Sequence, residues 1–179
     1  MPTGQAARAR RLHGPNHASV ARGLRSLADA ALARGRVDDA VRLTYEALPV
    51  YATVWGETHS TYAGVLGSLG ELMARRGQLD SAEALHRRAA AIRAAALGPE
   101  SALVAVTEIP LADLLVRRGR YAAAESAYVH ALSLIRRTTT DDHIDARRVH
   151  AGLATLYTAW GRPADAERHR RLAAPAPSR

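Results

Sequence analysis

The stretch Leu69–Ala89 reads LGELMARRGQLDSAEALHRRA, and 42 residues later Leu111–Ala131 reads LADLLVRRGRYAAAESAYVHA. Each has a helical pattern on either side of one glycine, Gly77 or Gly119. A glycine just past a helix end can take the left-handed conformation that closes it. The same glycine recurs in phase at Gly35 and Gly161. Four such glycines at one period predict four helix-turn-helix hairpins.

Other columns keep the phase. Leu27, Leu69, Leu111 and Leu153 stand eight residues before each glycine, followed by Ala28, Gly70, Ala112 and Ala154. Ala40, Ala82, Ala124 and Ala166 follow it, then Ala47, Ala89, Ala131 and Ala173. Small residues at matched places on two helices let their backbones approach, with leucine filling the space beside them. The linkers repeat as HGPNHASVA from His13, WGETHSTYA from Trp55 and LGPESALVA from Leu97. The fourth, TTTDDHIDA, has Thr140 where the others have glycine. First helices are expected over 17–34, 59–76, 101–118 and 143–160, and second helices over 37–54, 79–96, 121–137 and 163–174. Pro163 suits a first helical turn. Pro110 is expected to kink its helix or fray its beginning.

These columns resemble the tetratricopeptide repeat over roughly residues 12–174. The 42-residue period and the Gly-Pro-x-His linker resemble its longer form, found in kinesin light chains and in many bacterial proteins. In that form the second helix runs about two turns longer, so Ala52, Ala94 and Arg136 stand where the shorter repeat usually has proline. The resemblance implies an all-α, right-handed superhelical solenoid of four hairpins, with units near 17–54, 59–96, 101–137 and 143–174. It also implies an interaction module or scaffold, with a sensing or regulatory role. A peptide or partner domain would lie on the concave face, which the first helices line. The asparagine with which the kinesin-light-chain type often grips a peptide backbone is replaced here by Ser26, Ser68, Pro110 and Gly152.

Composition narrows the function. Phe and Cys are absent, which removes disulfides, thiolate metal sites and cysteine nucleophiles. No stretch approaches the roughly 20 apolar residues of a membrane span, and the basic start has no apolar run behind it. A cytoplasmic protein is the expectation. The formal charge is +8 and every basic residue is arginine. Seven of these (Arg8, Arg10, Arg11, Arg168, Arg170, Arg171 and Arg179) lie near the ends; the remaining 18 face 17 acidic residues. Nucleic-acid binding through the terminal arginines is therefore the weaker alternative, since basic tails bind non-specifically.

No phosphate loop, nucleophile elbow or dinucleotide fingerprint appears, so neither an enzyme nor a cofactor is expected. His17, His59 and His143 share a linker column one repeat apart, too far to share an ion, and are expected to cap or pack the following helices. The acidic pairs Asp38–Asp39 and Asp141–Asp142 begin helices, where they face the positive end of the helix dipole.

The candidate site is an acidic column on the inner face: Asp29, Glu71 and Asp113, with Thr155 in the fourth place. Three carboxylates in line would favour a basic or amine-bearing peptide. The competing reading is a self-neutralised face. Glu71 precedes Arg75, and Asp113 precedes Arg117, by four residues, an order worth about 0.3–0.5 kcal/mol per pair. Arg25, Asp29, Glu71, Arg75, Asp113 and Arg117 are the expected partner-binding residues; Arg22 and Arg25 can meet an acidic group at one end. Residues 1–12 are expected to form a basic arm or short cap, and 175–179 a disordered tail. The C-terminal face near Tyr157, Trp160 and Leu172 is expected to be partly open, suiting a partner or a homodimer.

Overall fold

The computed structural model describes residues 8, 11–12, 14–140 and 143–175. Most of the expected N-terminal cap, the pair Asp141–Asp142 and residues 176–179 lie outside that set. Eight long helices follow: α1 (Ala18–Ala33), α2 (Val37–Trp55), α3 (Ser60–Arg75), α4 (Leu79–Leu97), α5 (Ala102–Arg117), α6 (Tyr121–Arg136), α7 (Ile144–Ala159) and α8 (Pro163–Ala173). They agree with the sequence-derived spans to within a residue or so at each end. None among the described residues is long and apolar enough to cross a membrane.

The helices fall into two compact units, residues up to Ala96 and residues from Leu97. In unit 1, α1 and α2 form one hairpin and α3 packs on α2. The α3/α4 pair is held by His86, whose ring lies against Gly70, and by the Arg88 guanidinium over the Tyr62 ring. In unit 2, α5/α6 and α7/α8 are hairpins, α7 packs on α6, and α5 lies beside α7. Val20, Leu24, Val50, Tyr62 and Leu66 belong to one core; Ile109, Tyr128, Ile135, Leu153 and Leu156 belong to the other.

The four hairpin glycines have φ of 73, 79, 69 and 74°. Two bonds close each preceding helix around them: around Gly35, its own N–H donates to the Leu32 carbonyl at 2.9 Å and the Arg36 N–H to Ala31 at 2.9 Å. That is the double closure of a helix by a left-handed residue. The linkers then cap the next helix. The Nδ1 atoms of His17, His59 and His143 accept from the N–H groups of Ser19, Thr61 and Asp145 at 3.2, 3.1 and 3.3 Å, and the Ser101 hydroxyl accepts from Leu103 at 3.3 Å. The histidine column therefore serves as N-caps.

Three alanine columns are buried as the pattern required, apart from half-buried Ala173. Leu69 and Leu153 are fully buried, but Leu27 and Leu111 are only partly so. The fraying expected from Pro110 does not occur: α5 is helical from Ala102 through Pro110 to Arg117. Proline's fixed φ suits a helix, and the Ser101 cap with buried Val104, Ala105 and Ile109 holds the first two turns. Pro49 likewise lies inside the continuous helix α2.

Candidate partner-binding face

Matched residues on the first helices behave differently in the two units. In unit 1 a recess of about 70 Å³ opens between α1 and α3, with α2 as its floor. Arg25 and Asp29 enter it from α1, Ser68 and Glu71 from α3, and Thr44 and Ala47 from α2. Neither carboxylate makes an ion pair among the described residues, so the expected Glu71–Arg75 pair does not form. Arg75 is exposed in the last turn of α3 and does not line the recess. The lining is mainly apolar, from Ala28, Leu32 and Val65 among others. Three of the expected site residues, Arg25, Asp29 and Glu71, thus converge on one place.

In unit 2 the third carboxylate takes another partner. Asp113 accepts a hydrogen bond from the Tyr128 hydroxyl, which reaches up from α6. Burial pushes the Asp113 carboxyl above its usual range, opposed by the Tyr128 hydrogen bond and the charge of Arg148. Burial, with the neighbouring Asp113 charge, likewise pushes the phenol pKa up. The ring fits because Gly152 on α7 has no side chain: a Cβ there would lie 2.5 Å from Tyr128 Cε1. Arg117 lies one turn beyond Asp113 at the end of α5. Although its carboxyl is partly desolvated, Asp113 is an exposed residue like Asp29 and Glu71; it differs from them in accepting a hydrogen bond from a side chain of its own unit.

The second helices carry the column that explains this and that the sequence reading passed over. Thr44, His86, Tyr128 and Arg170 are spaced by 42 residues. Each points toward a first helix: Thr44 lines the recess, His86 meets Gly70, Tyr128 meets Asp113, and Arg170 donates to the Thr158 hydroxyl at 2.9 Å. The same period that reveals the glycines contains this signal, but its residue types vary too much to stand out.

The C-terminal hairpin is partly covered: an open hollow of about 540 Å³ lies between α7 and α8, against Ala154, Thr158 and Arg170, while the aromatic residues beside it are packed. Tyr157 is 6% exposed, its hydroxyl donates to Glu125 at 2.5 Å, and the Arg162 guanidinium covers both its ring and that of Trp160. Leu172 alone of that group is exposed.

The fold has close counterparts. The crystal structure of BtubC (BKLC) from P. vanneervenii superposes with a TM-score of 0.79 at 21% identity, over 99% of this chain and 75% of that one. A kinesin light chain-type protein of Podosopora anserina with nearly identical TPR-like repeats gives a TM-score of 0.75 at 21% identity, covering 96% and 82%. A variant of that same protein with one residue replaced by methionine gives 0.77 at 22% identity, again covering 96% and 82%. No curated relative matches the sequence. The family model described as tetratricopeptide repeat matches residues 61–132 and 103–174, together more than half of the chain. With the glycine-closed hairpins of every repeat and the largely buried alanine columns, that match places the chain in the tetratricopeptide repeat family.

Proposed function

We propose that this chain is a protein-interaction module that holds a segment of a partner protein against the inner faces of its first helices, without catalysis. Repeats of this family are generally protein–protein interaction scaffolds, and the fold presents surface rather than a reaction centre. The observation that carries the reading is the recess of unit 1, where Asp29 and Glu71 line an open hollow and make no ion pair among the described residues. Charged groups left open on such a surface are suited to steering and selecting a partner. Arg25 belongs to this seat; Arg75 lies on the same helix as Glu71, and Asp113 and Arg117 occupy the corresponding helix of unit 2.

The absence of cysteine makes a direct test simple. A single Ser68→Cys carries a photo-crosslinker into the recess, and Ala84→Cys, exposed on α4, carries it elsewhere. Exposed to extract of the native host, the Ser68 position is expected to crosslink one dominant protein that the Ala84 position does not. Asp29→Ala with Glu71→Ala should lower that yield while the helical circular dichroism stays the same. Equal crosslinking at both positions, or a yield indifferent to the double substitution, overturns the proposal.

A further inference from the structure

We propose that the unit 1 recess receives the cationic tip of one lysine or arginine side chain of the partner, in the place that the chain's own Tyr128 phenol fills in unit 2. The inference rests on the reading that a partner docks on this face, and it specifies what that partner must present.

The two places correspond residue by residue at a spacing of 84. Asp29 answers to Asp113, Thr44 to Tyr128, and Ser68 to Gly152. In unit 2 the donor that meets the aspartate comes from within the chain, and Gly152 leaves the room it needs. In unit 1 Thr44 is too short to reach, and the corresponding volume is the recess. The protein therefore displays, in unit 2, the kind of group its acidic column accepts: a hydrogen-bond donor on a slender apolar stem.

The polar inventory of the recess selects the charge of that donor. The Thr44 hydroxyl donates to the Ala40 carbonyl at 2.8 Å, and the Ser68 hydroxyl to Gly64 at 3.2 Å. Each hydroxyl has a single hydrogen, so what remains to offer an incoming group is acceptor lone pairs. Thr44 is 5% exposed, so it offers them at the buried floor. Asp29 and Glu71 add two carboxylates, where unit 2 has Asp113 and the neutral Thr155. Two negative charges and two acceptor hydroxyls favour an ammonium or guanidinium over a neutral phenol. Ala28, Leu32 and Ala47 supply apolar wall for the methylene stem, the way long basic side chains bury their carbons. About 70 Å³ suits one side-chain tip. Arg25 at the rim is the opposing charge in the lining, so its removal should strengthen binding.

The test is titration of the 15N-labelled full chain with Nα-acetyl-lysine N-methylamide, against its uncharged norleucine and tyrosine counterparts, followed by amide shifts. The lysine probe is expected to move the amides of Asp29, Ser68 and Glu71 saturably, and the other two probes not to. Asp29→Asn with Glu71→Gln should weaken the lysine probe by about ten-fold or more, and Arg25→Ala should tighten it. Thr44→Tyr with Ser68→Gly rebuilds the unit 2 arrangement and should abolish binding with helicity intact. A norleucine or tyrosine response equal to that of lysine, no saturable lysine response, or indifference to the carboxylate changes overturns the inference. Crosslinking at Ser68 that survives such a result would leave the docking face standing and remove only its preference for a cation. Failure of both would remove the docking face as well.

Discussion

His86 shows how one residue's surroundings set a measurable property. Its ring is 2% exposed, packs against Gly70, and leaves Nδ1 without a hydrogen bond among the described residues. Burial lowers its pKa to about 4. The unfolded chain binds that proton near the ordinary value of about 6.5, so the native state binds fewer protons between the two values. This group's stabilisation is thus complete above pH ~6.5 and is lost as pH falls toward 4. From about pH 7 to about pH 5 the loss should be about 2 kcal/mol. Urea unfolding followed by Trp55, in a Trp160→Phe background, reads unit 1 selectively. His86→Leu is expected to flatten the pH dependence by that amount, whatever it does to stability at neutral pH; an unchanged slope would show that His86 titrates normally. In the one-dimensional pattern only the 42-residue spacing from Thr44 and Tyr128 sets this histidine apart from the exposed ones, and the residue types in that column differ. Its character comes from Gly70 opposite, which lets the ring enter and bury itself.

At the scale of the helix, the termini are the best-read parts of the molecule. A glycine with positive φ and a capping side chain are local requirements, so they leave a residue signature at fixed offsets and can be found by counting. His17, His59, Ser101 and His143 were legible as helix starts for this reason. His59→Ala should lower unit 1 stability by about 1 kcal/mol in urea, while His59→Asp, which keeps an acceptor in reach of the Thr61 N–H, should not; equal losses would show that the imidazole packs rather than caps. The interior of α5 was less legible. Pro110 breaks a local rule, yet the helix continues, because the cost of one missing N–H is set against burial of a whole face. Leu27 and Leu111 mislead in the opposite direction: they share a column with Leu69 and Leu153, but burial depends on what packs against a helix, and the column records only its phase.

The two units treat their acidic residues differently, and this difference was the least visible feature of all. The sequence presents Asp29, Glu71 and Asp113 as equals; the different sizes of Thr44 and Tyr128, on helices outside the column, decide which carboxylate carries an internal hydrogen bond. The division makes opposite substitutions in the two units informative. Tyr128→Thr with Gly152→Ser copies the unit 1 arrangement into unit 2. It removes a ring that is 1% exposed, so truncation should destabilise unit 2 by about 3 kcal/mol, in the range for large-to-small changes in a packed core. Trp160 in a Trp55→Phe background reports that loss under urea, and Trp55 in the reciprocal background should report none for unit 1. The opened site would hold Asp113 but Thr155 in the place of Glu71, so it should bind the Nα-acetyl-lysine N-methylamide probe less tightly than unit 1 does. Stability lost from unit 2 alone, with a weak second lysine site gained, is the outcome that follows if the phenol is an internal stand-in for a partner's side chain. If both units lose stability together, they unfold as one and the division does not hold. If unit 2 loses stability but gains no lysine site, the phenol is packing and hydrogen bond only, and the acidic column in unit 2 takes no external donor.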